Sequence, residues 1–201
     1  MTDQTLEFHF DFGSPTSYLA YTQLPRIARD TGASVVYHPM LLGGVFKATG
    51  NASPVSVPAK GRWMGADIAR WAKHWGVPFA FNPHFPIKTL TLMRGAVGLQ
   101  LRQPGSFQRY ADAVFQAMWV APHNLGDATE LAAVLAAAGF DAAEFAALVA
   151  DAEVKARLVA YTDASVARGV FGAPTCFVGG QMFFGQDRLD FVQQALTPTL
   201  A

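Results

Sequence analysis

His9-Phe10-Asp11-Phe12-Gly13-Ser14-Pro15-Thr16-Ser17-Tyr18 is the stretch of this 201-residue chain whose reading decides the fold. Upstream of it, Leu6, Phe8 and Phe10 alternate with Glu7 and His9, the period-2 pattern of a strand with one buried face. Downstream, Tyr18, Leu19, Leu24 and Ile27 recur at helical spacing. Pro15 suits the first turn of a helix, where its missing N–H costs nothing, and Ser14 suits the cap before it. The spacing predicts a strand, a tight turn through Gly13, and a helix that carries a hydroxyl at its N-terminus. Ser14 then has two roles open to it. It caps its own helix, or it donates a hydrogen bond to a ligand thiolate or oxyanion, which unpaired N–H groups and the helix dipole favour at that end.

Working outward, Thr31-Gly32 closes the first helix and Ser34-Val-Val-Tyr-His38 reads as a second strand stopped by Pro39. Strand, helix, strand suggests a βαβ unit with a right-handed crossover. Gly43, Gly44, Gly50, Asn51, Pro54 and Pro58 predict a long irregular connection from about Leu42 to Ala59. From Lys60 to about Arg168 the pattern is helical. Met64, Ile68, Trp71, Ala72 and Trp75 form one stripe; Leu90, Met93, Val97 and Leu101 a second; Phe107, Tyr110, Val114, Phe115 and Met118 a third. Thr89, Ser106, Asp127 and Asp141 read as caps, Asp141 pairing with Glu144. Past Gly169, Thr175–Val178 and Gln181–Phe184 flank Gly179-Gly180, a hairpin signal, and a last helix runs through Leu189, Val192 and Leu196. The order predicts an α/β fold, a βαβ…ββα domain of residues 1–42 and 169–201, interrupted by an all-helical inserted domain with its connecting loop, residues 43–168.

Composition narrows the class. The chain is 51% hydrophobic and 15% charged, with 15 basic and 15 acidic residues. That describes a globular protein rather than a disordered one, and without a basic block no nucleic-acid partner is expected. No charged leader with a long apolar run and no stretch of about 20 apolar residues is seen, so a cytoplasmic protein without a membrane partner is expected. A lone cysteine, Cys176, precludes an internal disulfide and a Cys-x-x-Cys redox pair, and its hydrophobic surroundings read as core. His9, His38, His74, His84 and His123 show no zinc-ligand spacing, so no metal is expected.

Three motifs, Asp11-Phe-Gly-Ser-Pro-Thr-Ser-Tyr18, Gly172-Ala-Pro-Thr175 and Phe183-Phe-Gly-Gln-Asp-Arg188, resemble the 2-hydroxychromene-2-carboxylate isomerase family, a relative of the kappa-class glutathione transferases. The likeness extends to Leu41-Leu-Gly-Gly-Val-Phe-Lys47, Gly50-Asn51 and Thr89-Leu-Thr-Leu-Met-Arg94, and so covers nearly the whole chain. It implies a thioredoxin-like fold with a helical insertion and glutathione as cofactor. It further implies a small aromatic 2-oxo acid substrate, an isomerisation belonging to naphthalene-type catabolism, and a homodimer.

By that resemblance Ser14 hydrogen-bonds the glutathione sulfur, in place of the cysteine of a disulfide oxidoreductase. A thiol of pKa about 8.5 is only a few per cent thiolate at pH 7, and lowering it by about two units amounts to roughly 2.7 kcal/mol in favour of the anion. Ala173-Pro174 is implied to be a cis peptide facing Ser14, with the Ala173 backbone pairing with the cysteinyl part; an ordinary trans proline is the alternative. Gln186 and Asp187 are implied to hold the γ-glutamyl end, although Asp187 also suits a helix cap. Asn51 and Lys60 are implied to bind the peptide portion and terminal carboxylate, against the alternative of solvated surface residues. On the substrate side, Lys47 and Lys88 are the candidate cations for a carboxylate, and Phe12, Phe46 and Trp63 the candidate apolar wall, with core packing open to each aromatic. Family members often carry asparagine at the position of Lys88, a departure that bears on the substrate. A kappa-type transferase or peroxidase and a non-catalytic thioredoxin-fold binding module are the alternative functions.

Overall fold

The computed structural model describes residues 4–197, so 1–3 and 198–201 at the ends of the expected outer domain lie outside the described residues. The first strand, β1 (Thr5–Phe10), runs into the Asp11–Ser14 turn and α1 (Pro15–Thr31), and returns as β2 (Ser34–Pro39). The strands β1 and β2 pair in parallel, with His9 opposite His38. At the other end of the chain, β3 (Thr175–Val178) pairs antiparallel with β1, and β4 (Gln181–Phe184) with β3. Gly179 (φ 53°) and Gly180 (φ 89°) make the two-residue connection, which needs positive φ at both positions. The sheet order is β2-β1-β3-β4, the mixed sheet of a thioredoxin-like fold.

Seven helices lie between β2 and β3. They are α2 (Leu42–Thr49), α3 (Pro58–Trp75), α4 (Leu90–Arg102), α5 (Phe107–Trp119), α6 (Ala128–Ala137), α7 (Ala142–Ala150) and α8 (Ala152–Ala167). A last helix, α9 (Leu189–Leu196), follows β4. The third expected stripe is core: Phe107, Tyr110, Val114, Phe115 and Met118 are all buried, in one cluster with Leu6, Phe8 and Phe10 of β1, whereas Met64, Trp71 and Trp75 of the first are half-buried against that cluster and Leu90 of the second is exposed. Asp127 and Asp141 cap α6 and α7 as expected, each accepting two backbone N–H bonds, and Asp151 does the same service for α8. No single helix among the described residues is long and apolar enough to cross a membrane.

Other sequence expectations fail: Thr89 and Ser106, read as caps, precede α4 and α5 but make no side-chain cap bond. The stretch 42–59 is not irregular: it holds α2, a 3-10 turn at Pro54–Ser56 and the first turn of α3. Gly43 and Gly44 read as breakers, yet both are helical, and no side chain of the preceding residue caps α2. The Leu42 N–H is instead accepted by the carboxylate of Asp11, 31 positions back in the chain, a cap invisible to local reading.

Packing in the helical layer is tight enough to test. A Cβ on Gly95 of α4 would stand 2.6 Å from the Phe145 ring and against the Tyr110 hydroxyl. Helix propensity favours alanine over glycine by about 1 kcal/mol, but overpacking a filled core costs about 1–3 kcal/mol. Both neighbours are buried rings, so overpacking wins, and Gly95→Ala is expected to lower the urea midpoint of unfolding.

Candidate active site

The turn after β1 is held from several sides. Asp11 is 1% exposed, and its carboxylate accepts the N–H groups of Gly13 and Leu42, each at 2.8 Å. The Thr89 hydroxyl, next to the start of α4, is a third donor. Burial raises the Asp11 pKa, and these three donors oppose the rise. One residue on, the buried Trp119 of α5 donates its indole N–H to the Phe12 carbonyl at 2.8 Å. The N–H of Ser14 closes the turn onto the Asp11 carbonyl at 3.0 Å.

Both roles open to Ser14 have a geometric basis. Its Oγ accepts the Ser17 N–H at 3.1 Å, which is the cap, and capping leaves the hydroxyl proton to give. That proton goes to the Ala173 carbonyl at 3.0 Å, and the Thr16 hydroxyl donates to the same oxygen at 3.2 Å. Ala173-Pro174 is cis and faces Ser14. The expectation of a free Ala173 backbone is corrected on the carbonyl side: two hydroxyls already occupy that oxygen.

A cavity of about 610 Å3 opens above this turn. Ser14, Thr16, Ala173 and Gln186 form its polar side, with Asn51, Lys60 and Asp187 also lining it. Phe46, Trp63, Met64, Phe85, Phe171 and Phe184 form an apolar side. Gln186 is 7% exposed, whereas Asp187 is half-open and pairs with Arg188 at 2.9 Å. Gly185, at φ 101°, lets the chain turn there, since a Cβ would stand 2.5 Å from the Asp187 carboxylate. Asp187 does not cap the last helix, whose N-terminus has no side-chain cap bond. Asn51 is committed within the protein: its Nδ2 donates to the Phe171 carbonyl at 2.8 Å and its Oδ1 accepts the Ala52 N–H at 2.8 Å, tying the loop after α2 to the cis-proline loop.

Three expected substrate-side residues do not line this cavity. Phe12 is 0% exposed and packs edge-on to Tyr110 and Phe115, with ring centroids 5.8 and 4.8 Å away. It keeps the parity of Phe8 and Phe10, so it enters the core. Lys47 and Lys88 are exposed residues away from the lining. Among the described residues lining the cavity, Lys60 is the one side-chain cation, with the carboxylates of Asp67 and Asp187 also in the lining. Sequence reasoning missed Phe85, Phe171 and Phe184. Phe171 and Phe184 pack together, ring centroids 4.5 Å apart, beside Gly172; Phe171 has no periodic signal, and the sequence marks Phe184 only as the end of a strand within a motif.

Cys176 is no part of this cavity. It lies on β3 at 3% exposure, and burial pushes its thiol up to about 12.

The fold and this site define a DsbA-like thioredoxin domain, and the family model described as a DSBA-like thioredoxin domain matches residues 5–197. Probable DsbA oxidoreductase from Streptomyces coelicolor shares the fold at TM-score 0.70 and 18% identity, covering 98% of this chain and 93% of that one. A solved 2-hydroxychromene-2-carboxylate isomerase superposes at TM-score 0.82 with 30% identity, covering 96% and 94% of the two chains. The isomerase of that name from Sphingobium xenophagum is 34% identical over 200 residues, 96% of this chain and 98% of the relative. Human glutathione S-transferase kappa 1 is 27% identical over 205 residues, 96% and 91% of the two chains. The chain belongs to the 2-hydroxychromene-2-carboxylate isomerase family, with the kappa-class transferases as relatives.

Two outcomes are expected from this geometry. Asp11→Ala leaves two part-buried N–H groups unpaired, at up to about 1–3 kcal/mol each, and chemical denaturation is expected to show a loss of that order. Cys176 is expected to resist a thiol reagent at pH 8 in the native protein and to react at one equivalent per chain once unfolded.

Proposed function

We propose that this enzyme of the 2-hydroxychromene-2-carboxylate isomerase type is glutathione-dependent. In this proposal it interconverts 2-hydroxychromene-2-carboxylate and trans-o-hydroxybenzylidenepyruvate in aromatic hydrocarbon degradation. The observation that carries the proposal is the Ser14 hydroxyl at the N-terminus of α1, holding a donatable proton where the polar and aromatic sides of one cavity meet.

The residues present suit glutathione. Ser14 offers a hydroxyl donor for a sulfur anion, Lys60 a cation for a carboxylate, and Asp187 a carboxylate for an ammonium, with the Gln186 amide beside it. Bound glutathione would supply a thiolate that adds reversibly to the conjugated double bond of the substrate, which then rotates as a single bond before the thiolate leaves unconsumed. Ser14 redirects its proton from the Ala173 carbonyl to the sulfur, and the N-terminal end of α1 adds its dipole in support of the anion. Thr16 keeps the Ala173 carbonyl satisfied while Ser14 turns away. Phe46, Trp63 and Phe85 offer flat apolar surface to the fused ring. Asn51 serves in this proposal by latching the loop that carries the cavity edge.

A kappa-type transferase is the second reading, favoured by the 27% identity to the human kappa enzyme over 96% of this chain. Following the substrate spectrum while counting free thiol separates the two. Conversion that requires glutathione at a constant thiol count supports the isomerase; thiol lost in step with substrate moves the assignment to transfer or peroxidase chemistry. No conversion, with no thiolate absorbance on adding glutathione, leaves a binding module.

Ser14→Ala removes a hydrogen bond to a charged group, about 1.5–3 kcal/mol. Turnover is expected to fall about 10- to 100-fold, while the lost cap costs only about 1 kcal/mol of stability. Unchanged turnover would remove Ser14 from the mechanism.

A further inference from the structure

On the sheet face covered by α8, away from the aromatic core, three side chains that the activity does not use converge. Glu7 and His9 have the opposite parity to Leu6, Phe8 and Phe10 along β1, and parallel pairing sets His38 of β2 directly beside His9. The two imidazoles stack with centroids 4.5 Å apart. The Oε2 atom of Glu7 lies 3.2 Å from Nε2 of His38 and 3.9 Å from Nε2 of His9. One donor atom from each residue falls within 4.8 Å of the other two.

The protonation of His9 is dictated by its surroundings. The Ser165 hydroxyl spends its proton on the Tyr161 carbonyl at 2.8 Å, so it accepts from Nδ1–H of His9, also at 2.8 Å. Nε2 of His9 therefore carries a bare lone pair. His9 is 2% exposed and that nitrogen has no hydrogen-bond partner. A buried lone pair aimed at a carboxylate is an electrostatic mismatch, and a cation between the two relieves it.

We propose that Glu7, His9 and His38 form a site for one divalent transition-metal ion of the Zn2+ class. Two imidazole nitrogens and one carboxylate oxygen suit Zn2+, Co2+ or Ni2+ rather than Mg2+ or Ca2+. Ser165 fixes the His9 tautomer, as outer partners of metal-bound histidines do. Arg168 donates to Oε1 of Glu7 at 3.0 Å and to Oε2 at 2.5 Å, and its guanidinium lies 3.9 Å over the Phe177 ring. On metal binding Arg168 keeps Oε1 and yields Oε2, so its charge lowers the affinity while it orients the carboxylate. The His38 and Glu7 side chains are 29% and 26% exposed, which gives the ion an entry and water a place as the remaining ligand. The ion would join β1, β2 and α8.

The test is a Co2+ titration of tag-free, chelator-stripped protein, read by ligand-field absorption, followed by Zn2+ displacement. One Co2+ per chain is expected, displaced by Zn2+, with turnover unchanged. His38→Ala and Glu7→Gln are each expected to weaken binding by at least about tenfold, since even outer-shell changes cost 10- to 100-fold. Zn2+ is expected to raise the thermal midpoint of the unaltered protein but not of His38→Ala. Absence of ligand-field bands, or equal affinity in both variants, overturns the proposal.

Discussion

The buried carboxylate of Asp11 is the constraint on which the site depends. Three elements remote in sequence meet on it: the turn before α1 through Gly13, the start of α2 through Leu42, and the approach to α4 through Thr89. Burying a carboxylate is costly unless its lone pairs are filled, and here two backbone N–H groups and a hydroxyl fill them. The same contacts that offset the burial align a helix end, a loop and a cavity edge. With Trp119 holding the Phe12 carbonyl, the turn that carries Ser14 has little freedom to move independently of the helical layer.

That rigidity matters because Ser14 does two things with one oxygen. It accepts from the Ser17 N–H with a lone pair and donates its proton to the Ala173 carbonyl, so the cap and the donation do not compete. Thr16 and Ala173 complete the arrangement, since the same carbonyl takes a second hydrogen bond from the Thr16 hydroxyl. A hydroxyl of this kind orients and stabilises an anion but does not exchange electrons. The only thiol, Cys176, is sealed into β3 and held protonated by burial. The chain therefore keeps the frame of the DsbA-like family while lacking a reactive sulfur of its own.

The cavity joins two kinds of surface. Its polar side is built from chain ends and turns, namely the start of α1, the cis-proline loop and the Gly185–Asp187 turn, where backbone groups and short polar side chains are available. Its apolar side comes from α2, α3 and the aromatic pair Phe171–Phe184. Lys60 is the one side-chain cation among the described residues that line it.

Much of the fold was legible in the sequence because local physics writes it there. The alternation of β1, the Ser14-Pro15 start of α1, the Gly179-Gly180 hairpin and the Asp127 and Asp141 caps are each decided by a few adjacent residues. The polar residues of the candidate site were legible too, carried by motifs that sit in turns. Tertiary structure alone decided the rest. The helix α2 depends on a cap from 31 positions away, so its glycines read locally as a loop. Phe12 enters the core because the strand parity runs two residues past β1, and Lys47 and Lys88 miss the cavity because exposure is a property of packing rather than of residue type. His9 and His38, scattered in the sequence, become neighbours only through parallel strand register. Local preferences settle each element, but which side chains meet is settled by how the elements pair.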